Sequence, residues 1–291
     1  MRRLTAILLL MCLLLCGCSA NQQPSGVVVT PVQEQLWVHF IDVGQADSIL
    51  LECDGKYALI DGGNDSDGPA VAAYLAMQGV AKLDLVVATH PHEDHIGGLA
   101  DVIELIPVDT VWSSSIPSQT NVVRNFLKSV SKRGLEPQKP AVGQVFTLGT
   151  ATITVLGPVK EYDDINNLSL VLMVQHGNNR FLLTGDMERE AENDLVESGA
   201  SLKADVLKVG HHGSESSTGY IFLREVMPKY AVISCGKGNS YGHPHADPLS
   251  RLEDAEATIL RTDECTTIIA RSDGENITFL WGDDHLYQDA A

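Results

Sequence analysis

Hydrophobic and polar positions change their period every few residues along 36–281, and each change marks a short element. The segment 36-LWVHFIDVGQADSILLECDGKYALIDGG-63 predicts strands, with Asp54-Gly55 as a hairpin turn between two apolar runs. Residues 68–80 predict a helix that ends near Gly79, and 83-LDLVVAT-89 predicts a strand buried on both faces. A helix is expected from Ile96 to Ile106, and another over 120–132, where Val123, Phe126, Leu127 and Val130 fall on a helical period. Strands follow at 145–157, 168–176 and 180–185, the last two joined by a turn between His176 and Arg180. A helix over 188–197 and strands over 204–210 and 230–236 come next. Asp247-Pro248 predicts a helix start, with aspartate as N-cap and proline in the first helical position. A hairpin around Asp273-Gly274 closes the pattern at 266–281.

This alternation implies an α/β architecture with at least one sheet covered by helices. No short-period repeat or low-complexity break interrupts it, so one domain, residues 36–285, is the simplest organisation. Polar side chains collect where strands end: His90, Asp186, His211 and His243.

The beginning of the chain follows a different logic. Arg2 and Arg3 precede an apolar run from Leu4 to Leu15, which reads as a secretory signal. The run ends in Leu15-Cys16-Gly17-Cys18, which resembles a bacterial lipobox. That resemblance implies a signal peptide over 1–17, a lipid on Cys18 and a polar tether over 18–35. The chain is then expected on the outer face of the bacterial cell membrane. Plain secretion with cleavage near Ala20 is the alternative. Only Cys53, Cys235 and Cys265 remain for the folded part, too few for a disulfide framework, and buried thiols are expected. The formal charge of −18, with no Lys/Arg run, opposes tight binding of a polyanion by the bulk surface. A phosphate site built on metals remains open, because metals bring their own positive charge.

The chemistry concentrates in 88-ATHPHEDHIGGLAD-101. His90 and His92 stand two apart, so an extended backbone turns both imidazoles to one side. Asp94 and His95 follow and can serve a second cation. Imidazole with carboxylate suits zinc, or iron and manganese where carboxylates dominate. Gly97 and Gly98 let backbone approach closely, and Glu93 is expected to point into solvent.

The pattern H-x-H-x-D-H-x-G-G after a strand resembles the metallo-β-lactamase superfamily. The segments 40-FIDVGQADSILL-51, 59-LIDGG-63, 166-NNLSLVL-172, 182-LLTGDME-188, 205-DVLKVGHHGS-214, 241-YGHP-244 and 261-RTDE-264 narrow the resemblance to the soluble hydrolase domain of the competence protein ComEC family. The resemblance implies a four-layer αββα sandwich with two divalent ions, zinc or alternatively manganese. His90 and His92 would hold the first ion, and Asp94 and His95 the second. Asp186 would bridge them, and His211 rather than His212 would complete the set. Asp42 and Asp61 match acidic positions beneath the site.

Two departures from the pattern bear on function. Many superfamily hydrolases carry a third histidine for the first ion, but His176 alone lies in that interval here, in an expected turn, and Asn166 to Ser169 stands instead. Many ComEC relatives also have aspartate where this chain has His92, and Ala46 replaces a common glycine. The missing histidine argues against β-lactam hydrolysis.

Paired divalent ions can hold a bridging hydroxide and stabilise in-line displacement at phosphorus. Asp94 and Asp186 would then be catalytic, with His212 or His243 protonating the leaving oxygen. Asn167, Ser169 and Ser214 are the expected phosphate contacts. The expected activity is hydrolysis of a phosphodiester from cell wall, lipid or nucleic acid, with no obligate protein partner. A DNA nuclease, a phosphorylcholine esterase and a non-enzymatic metal-binding lipoprotein are the competing readings.

Overall fold

The computed structural model describes residues 34–116, 119–282 and 287–288. The expected signal peptide, the tether as far as residue 33, and His285 lie outside the described residues. β1 (Leu36–Phe40), β2 (Ile49–Cys53) and β3 (Lys56–Ile60) form an antiparallel meander, turning at Asp54-Gly55 as expected. The helix α1 (Gly68–Met77) then returns the chain so that β4 (Leu83–Ala88) lies parallel to β3.

The single helix expected at 96–106 is two: α2 (Glu93–Ile96) and α3 (Leu99–Leu105), broken at Gly97-Gly98. A Cβ on Gly98 would stand 2.1 Å from the carbonyl oxygen of Gly62, so only glycine lets the two loops touch. β5 (Val108–Ser113) adds parallel to β4, and α4 (Asn121–Lys132) is capped by the Thr120 side chain accepting from the Val123 amide.

The second sheet starts with β6 (Val145–Leu148), β7 (Ala151–Gly157), β8 (Val171–His176) and β9 (Asn179–Leu183), all antiparallel. The strand expected over 145–157 is thus a hairpin, turned at Gly149 and Thr150. α5 (Arg189–Glu197), β10 (Val206–Lys208), α6 (Tyr220–Val226), β11 (Tyr230–Ile233), α7 (Ala246–Asp254) and β12 (Thr258–Arg261) alternate, and their strands run parallel. α7 starts two residues before the expected position. Its N-cap is His245, whose amide donates to the Gly213 carbonyl at 2.9 Å. After α8 (Thr262–Cys265), β13 (Ile268–Ser272) crosses back to pair with β1, followed by β14 (Ile277–Trp281) and β15 (Tyr287–Gln288). The two sheets are ordered β15-β14-β13-β1-β2-β3-β4-β5 and β12-β11-β10-β9-β8-β7-β6.

Strand alternation sorts the core into three apolar seams. Leu36, Val38, Phe40, Ile49 and Ile60 from the first sheet meet Ile153, Val155, Leu172, Val174 and Phe181 from the second. The other face of the first sheet, including Leu50, Leu59 and Val86, packs on Val71, Leu99, Val102 and Phe126 of its helices. Leu182, Leu207 and Ala231 likewise pack on Leu195, Phe222 and Leu252. Three seams separate four layers, helix, sheet, sheet and helix. Cys53 and Cys235 are buried, Cys265 is half-buried, and all three are free thiols.

One buried acid holds the outer helices of the second sheet together. Glu192 of α5 is 1% exposed and accepts hydrogen bonds from the Thr218 and Gly219 amides ahead of α6. Burial pushes its carboxyl up to about 7 from 4.5, against the pull of those amides. The folded state therefore binds this proton more tightly than the unfolded chain. The stabilisation is complete below about pH 4.5 and is lost as pH rises through about 7, a change of about 3 kcal/mol. Glu192→Gln is expected to fall less steeply in stability than the parent between pH 5 and 8. Urea unfolding across that range checks this, and equal slopes would refute it.

Candidate metal centre

The chain brings its polar residues together by ending parallel strands at one edge of both sheets. β3 leads into Asp61, β4 leads into Thr89 and His90, β9 leads into Asp186, and β10 leads into the turn Gly210–Gly213. In that turn His211 and His212 both adopt left-handed backbone, at φ 48° and 52°. This conformation is rare for residues with a Cβ and is held here by the surrounding structure.

Two ligand groups share Asp186. His90, His92 and Asp186 form one, and Asp94, His95, Asp186 and His212 form the other, with ligand atoms within 4.8 Å of one another in each. Asp186 joins them through separate oxygens. Its Oδ2 lies 3.7 Å from His90 Nε2, while its Oδ1 lies 3.1 Å from His95 Nε2 and 3.6 Å from His212 Nε2. Asp94 Oδ2 faces His212 Nε2 at 3.4 Å.

His95 Nε2, His212 Nε2 and Asp186 Oδ1 are buried and make no hydrogen bond. His95 Nε2 and Asp186 Oδ1 are close enough for one but are not aligned with each other. Buried polar atoms seldom go unpaired. Three of them converging on one point, with imidazole and carboxylate as donors, fit a divalent cation such as zinc.

Surrounding groups decide which ring nitrogen faces the centre. Asp61 accepts from His95 Nδ1 at 2.7 Å, from the Thr89 amide at 2.8 Å and from Thr89 Oγ1 at 2.7 Å. His212 donates from Nδ1 to the Ser234 carbonyl at 3.0 Å, and Ser169 Oγ stands 3.3 Å from His90 Nδ1. All three histidines therefore turn Nε2 inward.

Charge balance follows from the same contacts. Burial, reinforced by His95, pushes His90 well below its ordinary range. Burial would also lower His95, but Asp186 and Asp61 hold it well above that range. Burial likewise opposes the proton on His212, yet Asp186 and Asp94 raise it. Asp186 is held well down, because His95 and His212 outweigh the effect of burial.

Several sequence expectations change once the residues are in place. His212, not His211, enters the second group. The turn sends His211 to the cavity wall, where its Nδ1 lies 2.9 Å from the Glu188 carboxylate. Asn167, Ser169 and Ser214, the expected phosphate contacts, do not line the cavity. Asn167 Oδ1 accepts from the Glu188 amide, Ser169 is fully buried and accepts from the Asp186 amide, and Ser214 bonds to Ser216.

Asn166 reaches the cavity wall instead, beside Gln45, Tyr241 and His243. Glu93 also lines it, although its side chain is exposed. His243 Nδ1 accepts from Gln45 Nε2 at 3.2 Å, so its Nε2 carries the hydrogen. Burial and the neighbouring His212 and His211 lower it to about 4, so it is a neutral hydrogen-bond donor near pH 7. His176 lies away from the centre, bonded to Ser272. Asp42 is exposed and holds its own loop by accepting from the Gly44 amide. Asp47, overlooked beside it, is the buried acid of this loop. The signal for it was Lys208, a cation inside an apolar strand that requires an anionic partner.

The two turn histidines give a direct test. His212→Ala is expected to weaken one of two bound zinc ions at least about tenfold, and His211→Ala to keep both. Competition with a chromophoric chelator measures this, and the reverse pattern would overturn the assignment.

The metallo-beta-lactamase superfamily model matches residues 41–237. ComE operon protein 3 of Bacillus subtilis is 33% identical over 79% of this chain and 32% of its own length. Recombination protein 2 of Haemophilus influenzae is 31% identical over 77% of this chain and 27% of its own length. The chain thus spans about a third or less of these curated relatives. Among solved structures, the metallo-beta-lactamase fold protein YhfI from Bacillus subtilis superposes with a TM-score of 0.57 at 13% identity. That superposition covers 82% of this chain and 100% of YhfI. With the fold, the two ligand groups and the family match in agreement, the chain belongs to the metallo-beta-lactamase superfamily.

Proposed function

We propose that this protein is a metal-dependent phosphodiesterase, exported and anchored by a lipid on Cys18 at the outer face of a bacterial cell membrane. The carrying observation is Asp186, whose two oxygens serve two separate ligand groups on the wall of one cavity. The cavity holds about 290 Å³, room for a phosphodiester and its immediate substituents, with the rest of a substrate extending outward.

Two divalent cations bound there would ease ionisation of an attacking water and neutralise charge building on the phosphoryl oxygens. The protein's own part is orientation and proton transfer. Asp61 and Ser234 fix His95 and His212 with Nε2 toward the centre. His243, aligned by Gln45, offers its Nε2–H to the leaving oxygen as a hydrogen-bond donor. His211, oriented by Glu188, presents its other nitrogen to the same cavity, and Asn166 supplies a neutral polar contact.

Asn166 to Ser169 stand where many superfamily hydrolases carry a third histidine for the first ion, and none of them joins the first ligand group. This supports phosphorus over a β-lactam as the reacting centre. Nucleic-acid cleavage is the second reading, favoured by similarity to relatives named for competence and recombination. The net charge of −18 favours short diesters, or those of cell wall or lipid, over long polyanions.

Zinc- or manganese-loaded protein is expected to hydrolyse bis(p-nitrophenyl) phosphate and to leave nitrocefin intact. Asp94→Ala and Asp186→Ala should each reduce the rate at least about a hundredfold, and chelation should abolish it. p-Nitrophenyl phosphorylcholine and single-stranded DNA, assayed alongside, sort the diester classes. Nitrocefin turnover without diester turnover, or unchanged rates in both variants, would defeat the proposal.

A further inference from the structure

Lys208 is the one lysine among the largest fully buried side chains of the described residues, and it lies between the two sheets on the interior strand β10. Its Nζ stands 2.9 Å from Asp47 Oδ2, and Asp47 is 2% exposed in the loop between β1 and β2. A buried ion pair of this kind loses more hydration than its attraction returns unless other contacts use it, so stability alone is a poor account of it.

Its contacts all run to one place. Lys208 Nζ also donates to the Val209 carbonyl at 3.0 Å, at the entrance to the turn that carries His212. The Lys208 carbonyl accepts from Thr184 Oγ1 at 2.8 Å, two residues before Asp186. The Asp47 amide donates to the Asp94 carbonyl at 3.0 Å, and the Asp47 carbonyl accepts from the Gly63 amide at 2.8 Å. Asp47 Oδ1 is buried without a hydrogen bond and lies 3.6 Å from His212 Nδ1, behind the ring. The pair therefore touches the segments bearing Asp94, Asp186 and His212. None of these bonds reaches His90 or His92.

We infer that Asp47 and Lys208 are positioning residues for the second cation alone. They hold Asp94, Asp186 and His212 in register across the gap between the sheets. This rests on the two-cation reading of the site but not on the nature of the substrate.

The test is a cobalt(II) titration of the whole protein, followed by visible absorption. His92→Ala and His212→Ala serve as spectral references for loss of the first and second ion. Lys208→Met with Asp47→Leu removes both charges at similar volume, and Asp47→Asn alone is the milder variant should the double variant not fold. In each folded variant the second ion is expected to weaken at least about tenfold, with the first within about twofold. A folded variant that binds both ions at parental affinity overturns the inference, as does equal weakening of both. A parent protein that binds a single ion sinks the two-cation reading as well, and is recognised before any variant is compared.

Discussion

Everything at the centre depends on keeping the Asp186 carboxylate charged in a place that excludes water. Burial favours its neutral form, and only cationic or metal partners on both oxygens reverse that preference. The fold supplies those partners from opposite sides. His90, Asp94 and His95 arrive from the first sheet, and Asp186 and His212 from the second. Neither sheet alone completes either of the two groups that share Asp186, so the packing of one sheet on the other is also the assembly of the site. The inner apolar seam of Phe40, Ile60, Val155, Phe181 and their neighbours sets the distance between the halves.

Around that carboxylate, the polar groups form successive shells with different tasks. Asp61, Thr89 and Ser234 choose the ring nitrogen that faces inward. Asp47 and Lys208 span the gap between sheets, where a purely apolar contact could slide. Toward solvent, Gln45, Glu188 and Asn166 orient His243 and His211 or line the wall without joining either ligand group. A left-handed His211-His212 backbone lets neighbouring histidines serve different shells, one bonded to Glu188 at the cavity wall and the other within the second ligand group.

Much of this was legible in the chain. Apolar runs and Asp-Gly turns located most strands, because period-2 burial and turn chemistry are local properties. The motif at 90–95 predicted paired ligand groups, since a two-residue spacing in extended backbone puts both imidazoles on one side. Less legible were the break at Gly97-Gly98, the hairpin inside 145–157 and the start of α7. Each is decided by contact with a distant loop, such as Gly62 against Gly98 or Gly213 against His245. Asn167 and Ser169 looked like phosphate contacts because they are polar and stand where related hydrolases carry a third histidine. Their side chains instead satisfy the Glu188 and Asp186 amides from inside the fold.

The sequence by itself determined the kind of chemistry: which residues can bind cations, and that they sit at strand ends. Only the tertiary structure decided their roles. His211 and His212 are indistinguishable by spacing, and the direction of each ring follows from two left-handed residues pinned between Glu188 on one side and Ser234 on the other. Asp47 and Lys208 are 161 positions apart in the chain and meet only because two sheets pack face to face. Local pattern reports what a residue can do, while side-chain direction and long-range pairing arise from packing, which no short stretch of sequence contains.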